Sequence, residues 1–326
     1  MYKRIKNKLK REVKVLKKLF SNKAIVLIYH RVAAVEPDPQ LLAVDPVNFE
    51  AQMKYLKKNF NVISLKELIA GLNAGYVLNK SIAITFDDGY FDNLYNAKPI
   101  LEKYELPATF FISTGYIESH KEYWWDELER IFIIECPQKK LSIEINGELF
   151  QYDIISKEVA SRVYMELNFA LKKLKHSERD NIIQSLFSWA DLERIGRESH
   201  RSLTSIEVKE LAENSLFDIG AHTINHPVLS RESYNVQRTE ILGSINRLRK
   251  ILKTDITLFS YPFGGKNDYN SDSIKILQNN DIKAGISNIQ GYLTKDIDEW
   301  NIPRYLVRNW DVDFLKKKIR YAFKRL

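Results

Sequence analysis

Apolar positions change their period along the chain. Between residues 2 and 20 they fall at Tyr2, Ile5, Leu9, Val13, Leu16 and Phe20, with Lys and Arg between them, which is the spacing of one helix face. From residue 24 short apolar and β-branched runs take over. The stretches 24–29, 82–86, 108–113, 217–221, 257–261, 282–286 and 303–307 are predicted strands. Helical patterns separate them, and several begin with a recognisable signal. Ser64 and Thr204 each stand three residues before a glutamate, Glu67 and Glu207, as in a capping box. Pro46 suits a helix entry ahead of Phe49, Met53 and Leu56. Strands alternating with helices predict an α/β fold on a mainly parallel sheet, open or closed into a barrel.

One stretch, 117–203, breaks the alternation. It holds Trp124 and Trp125, a predicted hairpin over 141–152 turning at Asn146-Gly147, and amphipathic helices across 157–190. It reads as an insertion capping the barrel. The expected organisation is a basic amphipathic helix at 1–23, then a barrel domain over 24–326. That domain carries the insertion at about 117–203 and a second basic helix at 311–326.

Composition narrows the class. With 44% hydrophobic and 28% charged residues, the 326-residue chain can bury a full core. No apolar run approaches the roughly 20 residues that span a bilayer. The single cysteine, Cys136, excludes a disulfide framework and any Cys-rich metal site. The net charge of +8 is polarised: residues 1–23 carry +9 and 311–326 carry +4, leaving −5 on the body. An acidic body argues against nucleic acid as a partner. The basic ends suit an anionic membrane surface, unless both helices dock on the body and neutralise it. The start lacks the apolar core of a secretory signal. The expected location is therefore cytoplasmic, peripheral on the inner face of the membrane.

Two strand ends concentrate chemistry. Asp87 and Asp88 are adjacent at the end of the strand 82–86, before Gly89. A turn there can aim both into a barrel mouth, one as metal ligand and one as proton acceptor. Alternatively the pair caps a helix. His222 and His226 follow the strand 217–221 at i and i+4, a spacing that lets both grip one ion from one face of a helical turn.

In type, order, strand-end placement and separation, these motifs resemble the NodB-homology polysaccharide deacetylases, carbohydrate esterase family 4. The resemblance covers most of 24–310 and is weaker across 117–203. It implies a distorted (β/α)7-type barrel and a divalent metal ion, with zinc the expected one. It also implies removal of acetyl groups from N-acetylated sugars. Carried over by position, Asp87 is the general base, and Asp88, His222 and His226 are the metal ligands. The family's third motif appears as Ser260-Tyr261-Pro262-Phe263-Gly264, with Ser260 where the family has the arginine that orients its base. The Phe263 amide can still serve an oxyanion. The family's late Leu-x-His is absent, since Leu306 is followed by Val307 and Arg308 and no histidine lies beyond 226. Instead the first strand ends at Tyr29-His30-Arg31-Val32. This resembles the branch that deacetylates poly-N-acetylglucosamine, in which the histidine motif sits at the front. His30 is the implied general acid.

Further candidates complete the expected site. Arg304, near the last predicted strand, can replace the cation lost at Ser260. Tyr261, Phe263, Trp125 and Asp126 make up the oxyanion and substrate-binding set, with Trp124, Tyr90 and Trp310 as further aromatics of a sugar cleft. His120, His176 and His200 read as surface residues. The expected function is metal-dependent hydrolysis of the N-acetyl group of a polysaccharide or lipid-linked glycan. O-acetyl esterase, deformylase and non-catalytic glycan-binding barrel are the competing readings.

Overall fold

The computed structural model describes residues 23–324. The helix expected at 1–23 therefore lies outside the described residues, apart from Lys23. Seven parallel strands form the frame: β1 (Ala24–Tyr29), β2 (Ser81–Phe86), β3 (Ala108–Ile112), β4 (Phe217–Ala221), β5 (Leu258–Ser260), β6 (Ala284–Ile286) and β7 (Tyr305–Leu306). Their spatial order is β6-β5-β4-β3-β2-β1-β7, and a two-residue strand, Asn61–Val62, pairs with β2. The sheet closes on itself through the segment leading into β7. Ile302 bridges Ile286 in parallel, and the Arg304 amide donates to Ile289 O at 3.0 Å. On the other side β7 pairs with β1, placing Tyr305 opposite Leu27 and Leu306 opposite Ile28. The result is a seven-stranded α/β barrel whose seam joins the first and last strands.

The sequence makes these strands because both faces are covered. All six residues of β1 are buried. Alternate side chains go to opposite layers. Ile25, Leu27 and Tyr29 pack with Phe49, Met53 and Leu56 of the helix Pro46–Asn59. Ala24 and Val26 join Ala83, Phe111, Leu258 and Ile286, together with Leu65, Leu68 and Ile69 of the helix Leu65–Asn73. Thr204 forms a complete capping box with Glu207, whereas Ser64 supplies only the hydroxyl half, accepting from the Glu67 amide at 3.0 Å.

The segment expected as an insertion has a hydrophobic cluster of its own. Its hairpin, Lys140–Ile145 with Glu148–Asp153, turns at Asn146 and Gly147, whose φ angles of 54° and 79° suit the tight turn that twisted strands need. Helices Lys157–Lys172 and His176–Trp189 pack on it through Val163, Leu167, Ile183 and Phe187. Tyr90 and Phe263 join this cluster from the barrel side. The terminal helix Val312–Lys324 turns Leu315, Ile319 and Ala322 into the main core, so its apolar stripe is spent on the body. Among the described residues no helix is long and apolar enough to cross a membrane.

Candidate active site

The chemistry gathers where the strands end. His30 follows β1, Asp87 and Asp88 follow β2, His222 follows β4, and Phe263 stands three residues past β5. Together they line one cleft of about 270 Å³.

Asp88 takes a positive φ of 73° and Gly89 one of 80°. A side chain at residue 89 would also press on Ile112, with a Cβ only 3.0 Å from it, so glycine is required there. This turn points both carboxylates inward, as the adjacent-aspartate reading expected. The histidines are held differently from the expectation. Residues 222–226 are not a helical turn but a loop in which Thr223 and His226 have φ angles of 66° and 51°. Glu240, on the helix Tyr234–Leu252, fixes that loop by accepting from the amides of Ile224 and Asn225 at 2.9 and 2.8 Å. Such conformations cost about 1–3 kcal/mol each and persist where the surroundings impose them.

Asp88 Oδ1 lies 3.5 Å from His222 Nε2 and 3.3 Å from His226 Nε2. Donors about 2.0–2.1 Å from a tetrahedral ion stand roughly 3.3 Å apart, so the three atoms have the spacing of one coordination sphere. Asp88 Oδ1 is buried and makes no hydrogen bond. His222 Nδ1 pairs with Ser260 O at 2.8 Å, which fixes the proton there and turns the Nε2 lone pair inward. Burial pushes His226 down to about 4, keeping it neutral. Burial opposes charge on His222 too, but Asp87 and Asp88 outweigh it and raise that imidazole. The donor set fits a divalent ion.

Asp87 has a different setting. Arg304 grips it with two bonds, Nη1 to Oδ1 at 2.7 Å and Nη2 to Oδ2 at 2.6 Å. Ser260 Oγ donates to Oδ2 at 3.0 Å. Ser260 therefore occupies the place of the absent family arginine, and the cation arrives from the segment before β7. Burial works against ionisation of Asp87, but Arg304 and then His222 hold its pKa below the ordinary value. His30 lines the same cleft, and its Nδ1 is buried without a partner. Burial lowers its pKa against the pull of Asp88 and Asp87.

Phe263 has a φ of 60°, and its amide makes no hydrogen bond among the described residues. Gly264 continues the turn at 65°, where a Cβ would lie 2.5 Å from the Asn288 amide. Trp125 packs against His226 and Phe263, with ring centroids 4.9 and 6.2 Å away. It is only 5% exposed, so it offers a sugar an edge rather than an open face.

Six residues depart from their expected places. Tyr261 points away from the cleft: the strand alternation that turns Ser260 inward sends Tyr261 outward, where it stacks on Tyr269 at 3.9 Å and bonds Trp300 O. Asp126 lies behind the cleft wall, accepting from Tyr90 OH at 2.7 Å, because the helix that turns Trp125 to the cleft turns its neighbour away. Tyr90 is buried with it, and Trp310 lines a neighbouring groove instead. His200 is buried, not on the surface, and His176 is half-buried; only His120 is exposed. The sequence reading also missed several lining residues: Gln40, Asn168, Lys172, Asn288 and Arg308. Arg308 stands at the histidine position of the absent Leu-x-His string, and the others belong to no motif. Asn168 and Lys172 sit on one helix face four residues apart, the only local signal they carry.

Known proteins resemble this chain in sequence and fold. The sequence profile of the family described as polysaccharide deacetylase matches residues 75–133 and 192–285, leaving most of the inserted helices outside. Poly-beta-1,6-N-acetyl-D-glucosamine N-deacetylase of Staphylococcus epidermidis is 24% identical over 309 residues, covering 88% of this chain and 80% of that protein. The Staphylococcus aureus (strain MRSA252) protein of the same description is 22% identical over 318 residues, covering 91% of this chain and 83% of its own. The fold is shared with the Streptococcus pyogenes deacetylase PplD solved with acetate (TM-score 0.61, 20% identity, 94% of this chain and 100% of that one). It is shared also with IcaB from Ammonifex degensii (TM-score 0.61, 17% identity, 93% and 97%).

Proposed function

The chain belongs to the polysaccharide deacetylase family, and from that premise we propose that it is a metal-dependent N-deacetylase of a β-1,6-linked N-acetylglucosamine polymer. One observation carries the metal-dependent reading. Three unspent donor atoms converge beside a carboxylate that is held separately by its own arginine. The polymer is proposed from the activity for which the staphylococcal relatives are named.

Asp88, His222 and His226 would hold a divalent ion, which would supply Lewis-acid polarisation of the acetyl carbonyl and acidify water. Asp87 accepts the proton of the attacking water. Arg304 and Ser260 keep its carboxylate ionised and oriented while it does so. The Phe263 amide donates to the oxygen on which negative charge develops. His30 gives a proton to the nitrogen as the C–N bond breaks, releasing acetate and a free amine. Trp125 and Asn168 border the sugar.

Acetate release from β-1,6- and β-1,4-linked N-acetylglucosamine oligomers by the zinc-loaded protein tests this. Asp87→Asn is expected to retain zinc and lose at least about 100-fold in turnover, the lower bound for a general base. A zinc-loaded wild-type protein that releases no acetate from either series would end the proposal.

A further inference from the structure

Behind the Trp125 wall lies a second group of buried ionisable side chains that the hydrolysis does not use. Asp126 and Glu129, from the helix Trp124–Glu129, and His200, from the short turn Glu198–His200, each bring one ligand-type atom within 4.8 Å of the others. All three are more than nine-tenths buried, Glu129 at 3% exposure and His200 at 8%.

Their polar atoms are not all spent. Glu129 Oε2 accepts from Arg197 at 2.7 Å, but Oε1 is buried with no hydrogen-bond partner. His200 Nδ1 pairs with Ser199 Oγ at 2.9 Å, so Nε2 is the ring nitrogen left over. The charges do not balance either. Arg31 matches Asp92 at 2.9 Å, and Arg197 matches Glu122 at 2.7 Å. Asp126 then has no cation of its own, and Glu129 shares Arg197. With both ionised, the group carries two negative charges in excess inside the protein, which is costly without compensation. Burial pushes the Asp126 carboxyl well above its ordinary range. Burial, with Arg31 and Arg197 beside it, brings His200 down to about 3 and so leaves a neutral imidazole. One imidazole and two carboxylates are donors for a divalent transition-metal ion, whose charge offsets the excess.

We propose that Asp126, Glu129 and His200 hold a second divalent cation, distinct from the Asp88–His222–His226 centre, that fixes the wall of the catalytic cleft. The connection runs through two hydrogen bonds. Tyr90 OH donates to Asp126 Oδ2 and accepts from Trp125 Nε1 at 2.9 Å. Trp125 in turn packs on His226. The small cavity beside Asp126, Glu129 and His200 and the catalytic cleft share Gln40, Leu42 and Trp125 as their partition. An ion on Asp126 therefore orients an indole that borders a catalytic ligand.

The competing account is a proton shared by Asp126 and Glu129. Counting ions decides between them, whatever sugar the enzyme takes. The full chain is stripped with chelator, loaded with excess Zn²⁺, freed of unbound ion and analysed for metal per chain. The expected result is two zinc ions in the wild type and one in each of His226→Ala, Glu129→Gln and His200→Ala. The His226→Ala/Glu129→Gln double variant should hold none. Glu129→Gln preserves volume. His200→Ala removes a neutral group, so it keeps the count available should the other variant not fold. One zinc ion per wild-type chain, or two in a folded Glu129→Gln or His200→Ala protein, overturns the second site.

Discussion

Replacing Arg304 by methionine tests how the base is held. The guanidinium is 1% exposed and makes five hydrogen bonds: two to Asp87, and one each to Ser260 Oγ, Thr85 Oγ1 and Ser287 O. Methionine fills much of the same space but leaves Asp87 with Ser260 Oγ as its remaining side-chain donor. Removing one partner of a buried ion pair costs about 3–5 kcal/mol, because the other charge stays desolvated. That is a large part of the roughly 5–15 kcal/mol that holds a domain together, yet not all of it. Asp87→Asn strands the guanidinium in the same way. The double variant removes both charges, so it should fall short of the summed losses by about 3 kcal/mol, the coupling expected of contacting groups. Urea unfolding of the four metal-free proteins gives this cycle. Turnover of the zinc-loaded forms gives the catalytic half: Arg304→Met should lose at least about 100-fold, like a base variant, because an unheld carboxylate no longer meets the water. Additive stabilities, or near-wild-type turnover in Arg304→Met, would refute the claim that Arg304 positions the base.

Other outcomes follow from the same geometry. His226→Ala should abolish binding at the Asp88–His222 centre, and wild-type affinity there should fall as pH drops through the histidine range, since neutral imidazoles bind the ion; equilibrium dialysis from pH 8 to pH 5 follows both. Binding stoichiometry in His226→Ala equal to the wild type's would remove it as a ligand. His30→Ala should lower turnover by about 100-fold or more with unchanged metal content, and loss of metal would make His30 a ligand instead of an acid. Asn168 Nδ2 is buried without a partner at the cleft. Asn168→Leu should therefore raise KM for the oligosaccharide by about 5–30-fold, the cost of one hydrogen bond to a substrate, and leave metal content intact; an unchanged KM would exclude Asn168 from the sugar.

The strands were legible because both their faces are buried, so β1 stands in the sequence as an unbroken apolar run. The residues that meet at the mouth were legible because their types are uncommon at strand ends: paired aspartates and two of six histidines. What stayed hidden depends on direction rather than type. Ser260 and Tyr261 are neighbours, yet the pleat sends one to the base and the other to Tyr269. Trp125 and Asp126 part in the same way around a helix. His200 carries no local sign of burial, because what covers it comes from Arg31 and Glu129, distant in sequence. Gln40, Asn288 and Arg308 reach the cleft from loops, and loop paths leave no periodicity to read.

The seam between the first and last strands has a consequence in time. Asp87 and Arg304 are 217 residues apart in sequence, and Arg304 enters through the segment that closes the barrel. During synthesis the donors Asp88, His222 and His226 all leave the ribosome well before residue 304. The proposed ligand set is thus complete in sequence before the counter-charge of the base exists. On the proposed mechanism, a C-terminally clipped chain that lacks Arg304 is expected to turn over no acetamido sugar even where it still takes up metal. If the proposed mechanism holds, the fraction with Arg304 seated on Asp87, rather than metal content alone, measures how much of a preparation is active.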